Sequence, residues 1–137
     1  MNASALLPVL VQVALTFALL FWMGLWRVWL LRTRKVKVSA IALGQSGYPD
    51  GVAKIARAFH NQLEMPILFY ACVALAAAMG AITHGFVAAE WIFAALRVAH
   101  AAVHVTSNFV PLRFLVFSAG VAALLVLWAM LAIAALG

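Results

Sequence analysis

The stretch RAFHNQLEMP, Arg57 to Pro66, decides how the chain is read. It sets an arginine, a histidine, an asparagine and a glutamate close together, and ILFYACVALAAAM, apolar throughout, follows directly. Arg57, Asn61 and Glu64 recur at i, i+4 and i+7, the spacing of one helix face. Pro66 cannot donate to the Gln62 carbonyl, so a helix running through this stretch is expected to bend or loosen there. Inside a bilayer the freed carbonyl needs another partner.

That setting is a membrane. The chain is 69% hydrophobic and 9% charged over 137 residues, with a mean hydropathy of +1.15. A soluble domain needs more charge than this to cover its surface. Besides the span that contains the quoted stretch, about Ile55 to Met79, apolar runs cover about Ala5 to Leu31, Phe86 to Val105 and Pro111 to Leu136. Each is long enough to cross a bilayer as a helix. The reading is therefore all-α: an integral membrane four-helix bundle, one domain over residues 1–137. The first run has no basic segment before it and no cleavage signal, so it is expected to be a retained span. Trp22, Trp26 and Trp29 crowd its end as an interfacial belt would.

The links differ in character. Residues 32–54 form the only long polar loop, and its GQSGYPDG portion is expected to lack regular structure. ITHG (82–85) and TSNFVP (106–111) are tight turns, the second with Pro111 placed to start a helix. Of the nine basic residues in the chain, five lie between Arg27 and Lys37. A basic cluster beside a span marks the cytoplasmic side, which puts the first and third loops in the cytoplasm and both termini outside it. The net charge of +6 thus has a membrane explanation, and no nucleic-acid partner is expected. Cys72, the lone cysteine, sits mid-span and reads as a small packing residue.

A second polar face lies on the third span, where Arg97, His100 and His104 recur at i, i+3 and i+7. With both spans counted from the cytoplasmic surface, Glu64 and Arg97 lie about 17 Å deep. The expected ladder pairs Glu64 with Arg97, Asn61 with His100, and Arg57 with His104 at the entrance. A lone charge at mid-membrane costs at least about 2.5–3.5 kcal/mol, which favours such pairing. A register pin between helices needs one pair, whereas this face carries more, and its excess is basic. An anionic, hydrogen-bonding ligand entering from the cytoplasm would balance it. His100 and His104 alone are too few to hold a zinc ion, so no metal is expected.

The pattern Arg57-x-x-x-Asn61-x-x-Glu64-x-Pro66 resembles the signature of the MAPEG family, the membrane-associated proteins of eicosanoid and glutathione metabolism. The segment ALRVAHAAVH, with Arg97 and His100, is similar to the third helix of the family's prostaglandin synthases. Arg113, in VPLRF, falls where the family places a catalytic arginine. The resemblance implies a homotrimer that binds glutathione as co-substrate between neighbouring subunits. By motif position Arg57, Asn61, Glu64, Arg97 and His100 would hold the tripeptide, with Arg34 a further basic contact and Arg113 the catalytic group. His104 stands where the family's enzymes commonly carry a tyrosine, a change that would keep a hydrogen bond to the tripeptide. Phe114 replaces the serine that follows the arginine in prostaglandin synthases, which argues against isomerase chemistry.

The function implied is glutathione-dependent transfer or peroxide reduction on lipophilic electrophiles or lipid hydroperoxides, in a bacterial inner membrane, with the apolar substrate arriving through the lipid. The competing reading is a lipid-binding protein or small structural subunit without catalysis, since some members of such a family bind lipid only.

Overall fold

The structure, a computed structural model, describes residues 3–42 and 47–137. Its helices are α1 (Ala3–Arg32), α2 (Val38–Ile41), α3 (Asp50–Gln62), α4 (Met65–Ala78), α5 (His84–Val105) and α6 (Val110–Leu136). They make four membrane-length spans, with α3 and α4 sharing the second. No strand occurs among the described residues. Helices are what an apolar chain must form in lipid, because only they satisfy every backbone group within one segment.

The ends follow local chemistry. At the close of α1, Lys35 N–H donates to the Leu30 carbonyl (3.0 Å) and Arg34 N–H to that of Leu31 (3.0 Å). Arg34 adopts φ 55° to allow this, a Schellman arrangement. Gly80, φ 68°, closes α4 in the same way, with Ala81 N–H on the Ala76 carbonyl (2.9 Å). Thr83 caps α5 by accepting from Phe86 N–H (3.2 Å). Pro111 sits in the first turn of α6, where its missing N–H costs nothing.

The break expected at Pro66 is present and sharp. Leu63 (φ −94°, ψ 0°) and Glu64 (φ −99°, ψ −90°) leave the helical region, and Pro66 opens α4. Two further features depart from the sequence reading. Helix α3 begins at Asp50, ahead of the apolar run, and so takes in Asp50 and Gly51 of GQSGYPDG. The helix therefore starts where Asp50 can favour its N-terminus, not where hydropathy rises. The short α2 also interrupts the loop. Residues 44–46 of that portion lie outside the described residues.

Helix α1 packs on α3 and α5, α5 on α6, and α4 on α6. Antiparallel α3–α4 and α5 meet in successive rungs. Lys54 Nζ donates to the Thr106 carbonyl (3.5 Å), Arg97 reaches Asn61, and Phe69 stacks on Phe93 with centroids 4.6 Å apart. The apolar core of the half far from the basic loop gathers Phe69, Cys72, Val73, Phe86, Phe93, Leu124 and Leu127, so Cys72 is the packing residue expected. Nearer the basic end Leu19, Met23, Ile55, Ala56 and Ala101 form a second cluster. Between α1 and α3, Gln12 Nε2 donates to Gln62 Oε1 (2.6 Å) in full burial. Gly51 lets α3 approach α1, for a Cβ there would stand 2.8 Å from Trp26 Cη2.

Candidate functional site

At the basic end, α3, α5 and α6 enclose a cleft of about 280 Å³, lined by Asn61, His100, His104, Val110, Arg113, Phe114 and Phe117. Each wall follows from its helix. Arg97, His100 and His104 are buried on the inward stripe of α5, as their spacing predicts. The two imidazoles stack, with centroids 5.6 Å apart and planes 9° from parallel. Phe117 of α6 meets His100 edge-on at 5.5 Å, fixing the stack against the opposite helix. Arg113 stands on the first turn of α6, and its Nη1 donates to Asn108 Oδ1. Asn108 occupies the turn before α6 with φ 51°, a conformation asparagine tolerates better than most residues. The turn thus aims the guanidinium.

Deeper in, the ladder exists with two of its three rungs rewired. Arg97 Nη2 donates to the Asn61 carbonyl (2.9 Å) and to Asn61 Oδ1 (2.7 Å). Asn61 Nδ2 donates to Glu64 Oε2 (3.3 Å). The hydrogen bonds run from Arg97 through Asn61 to Glu64, not from Arg97 to Glu64 and Asn61 to His100. The reason is the break in the second span. A spacing of i, i+4, i+7 describes one face only if the helix is continuous, and α3 ends at Gln62. Glu64 consequently lies exposed on the subunit surface. Arg57, also exposed, is close enough to His104 to interact electrostatically, as are Arg97 and Arg113. Arg34 is held at the end of α1 and does not line the cleft.

Several polar atoms of the site are sealed from solvent without a hydrogen-bond partner: His100 Nδ1 and Nε2, His104 Nδ1 and Arg97 Nε. Buried polar groups are normally satisfied, so these nitrogens stand out, while the His100, His104 and Arg113 side chains form the polar wall of the cleft. Facing it, Val110, Phe114 and Phe117 supply an apolar one. Among the described residues no three histidine, cysteine or carboxylate side chains gather to hold a metal.

Sequence reasoning missed the Gln12–Gln62 pair, the role of Asn108 in aiming Arg113, and Phe117 as a wall. It also passed over Glu90, fully buried in α5 with neither carboxylate oxygen partnered. A lone amide in the long apolar α1 and a lone carboxylate in the outer half of α5 were the available signals.

The MAPEG family model matches residues 5–133 of the chain. The protein belongs to the MAPEG family. It is therefore an integral membrane protein of a family tied to glutathione and eicosanoid metabolism. No curated protein and no solved structure matches the chain.

Proposed function

We propose that this MAPEG protein is a membrane-embedded glutathione-dependent transferase or peroxidase acting on lipophilic electrophiles or lipid hydroperoxides. The observation that carries the reading is the two-sided cleft. One wall brings Arg113, His100 and His104 together beside the Arg97–Asn61–Glu64 chain. The other is Val110, Phe114 and Phe117. An anionic tripeptide with many donors and acceptors suits the first wall, and an apolar acceptor molecule suits the second. Arg113, a permanent cation, favours the thiolate over the thiol. Arg57, Asn61, Glu64, Arg97 and His100 hold the tripeptide. The exposure of Arg57 and Glu64 on the subunit surface supports a site shared with a neighbouring copy in a homotrimer. Arg34 belongs to that outer set of basic contacts.

The decisive experiment is thermal unfolding of the detergent-purified protein with and without millimolar glutathione. Saturation at about a hundred times Kd stabilises by about 2.7 kcal/mol, and conjugation to chlorodinitrobenzene then reports turnover. An unchanged midpoint with no conjugation would return the protein to a lipid-holding role. The proposed setting is a bacterial inner membrane with both termini on the non-cytoplasmic side, as the basic first loop suggests. Single cysteines at exposed Ser4 and Lys37, with Cys72 replaced by alanine, should label from opposite faces. Labelling from one face would reverse this.

A further inference from the structure

A thiol that attacks as a thiolate must first give up its proton, and the cleft narrows where that proton can go. Val110, Phe114 and Phe117 carry no ionisable group. Arg113 is already fully protonated and has no lone pair to offer. Asn61 is not a base, and its side chain is engaged with Arg97 and Glu64. Only His100 and His104 remain. Both nitrogens of His100 are sealed, as is Nδ1 of His104, which leaves His104 Nε2 as the imidazole nitrogen not closed off.

We infer that His104 Nε2 takes the thiol proton and that His104 is the general base of the reaction, a role that rests on the glutathione-dependent reading above. The geometry suits it. His104 stands in the last turn of α5, one turn beyond His100, and its ring is held parallel to that of His100. His100 is braced in turn by Phe117. A general base works only when its lone pair is held in place, and this stack holds it. Arg113, a further lining residue of the same cleft, is fixed by Asn108. The proton acceptor and the cation that stabilises the thiolate are thus separate groups.

The step balances. The S–H bond breaks, its proton passes to His104 Nε2, and sulfur keeps the electron pair. That pair forms a carbon–sulfur bond with the electrophilic carbon of an aryl halide. The carbon–halogen bond breaks, and halide leaves with its electrons. The imidazolium returns its proton to water at the basic end, where α5 terminates at Val105. The charged and titratable groups facing His104 are Arg57 from α3, Arg97 and His100 from α5, and Arg113 from α6. The arginines stay charged throughout, so none of them competes with His104 for the thiol proton.

The test measures chlorodinitrobenzene conjugation by the full-length parent, His104→Asn and His104→Ala between about pH 5.5 and 9, with glutathione affinity followed by calorimetry. General-base loss typically costs ~10²–10⁴-fold. His104→Asn should bind glutathione within a few-fold of the parent and lose kcat/KM by that factor near neutrality. Its rate should then climb in proportion to hydroxide. Imidazole added to His104→Ala should restore turnover saturably. A His104→Asn protein that keeps the parental rate and pH profile overturns the role. So does a loss equal at every pH without imidazole rescue, which would mean a packing role. A parent that binds glutathione but conjugates nothing overturns the base and leaves the binding reading standing. A parent that binds no glutathione overturns both.

Discussion

Phe69 of α4 stacks on Phe93 of α5 in the far half of the bundle, and one turn along α5 toward the basic end Arg97 reaches Asn61 of α3. The two contacts join the same two spans and do different work. The far half buries phenylalanine, leucine and cysteine in contiguous packing, whose purpose is shape. The near half spends its contact area on arginine, histidine and asparagine, which are costly in lipid unless paired, and leaves several of their nitrogens unpaired. Proteins keep such unsatisfied groups where function needs them. One half is a scaffold, and the other is a candidate site fastened to it.

The sharpest way to break this contrast is at the junction. Arg97 is buried and its guanidinium donates twice to Asn61. Asn61→Leu removes the side-chain acceptor and leaves a buried cation short of partners, a defect that typically costs about 3–5 kcal/mol. Glu64→Gln should cost far less, since Glu64 is exposed and its hydrogen bond goes to Asn61, leaving only a through-space attraction to Arg97. Unfolding of both variants in detergent checks the order. A larger loss for Glu64→Gln would restore the direct pair expected from their common depth.

Next in size is a functional effect without a structural one. Arg113 is half-buried at the cleft, so Arg113→Ala should unfold nearly as the parent does. Removing a single group that stabilises developing charge typically costs ~10²–10³-fold in rate. The expected outcome is a loss of conjugation of that order with glutathione still bound more weakly. Unchanged turnover would move the thiolate-stabilising role to Arg57 or Arg97, both close enough to His104 to interact with it.

The four spans were legible because hydropathy over some 20 residues measures what lipid demands, and the break was legible because proline removes a donor. The inward stripe of α5 was read correctly, since that helix is continuous from His84 to Val105. On the second span the spacing holds as far as Asn61, and beyond it Glu64 keeps a through-space attraction to Arg97 while its hydrogen bond comes from Asn61. Spacing carries face information only while the helix lasts, and the chain leaves helical geometry at Leu63. Arg34 was grouped with the site by the family resemblance, and a backbone cap at the end of α1 decides its position. Charge says which groups want partners, and local backbone geometry decides which ones meet.

Glu90 is the exception in the far half: a carboxylate with both oxygens buried and unpartnered beside an apolar core. If that half serves only packing, removing the group should help. Glu90→Leu keeps a similar volume and relieves the desolvation of an unsatisfied polar group, a gain of about 2–3 kcal/mol. A raised melting midpoint with unchanged conjugation supports the division of labour. A lowered midpoint would show that the far half also depends on a polar contact, one supplied from outside the subunit.

The smallest expected effect tests whether polarity near the break is structural or functional. Gln12 and Gln62 bond at 2.6 Å in full burial, and Gln62 is the last residue of α3. Gln62 Nε2 also lies 3.5 Å from the Ala58 carbonyl, so the amide is held by its own helix as well as by α1. Neither glutamine lines the cleft. Replacing one by leucine strands the other's amide, which typically costs about 1–2 kcal/mol. Replacing both removes the stranded group along with the bond, so the double variant should lose less than the sum. Interhelical hydrogen bonds in membranes couple by only about 0.6 kcal/mol on average and rarely above about 1.7. A coupling in that range, with conjugation unaffected in all three variants, would place the pair with the scaffold as a pin between α1 and the end of α3. A fall in conjugation with stability preserved would instead show that the angle at the Leu63–Glu64 break is set from α1. The boundary between scaffold and site would then lie one helix further out than the cleft lining suggests.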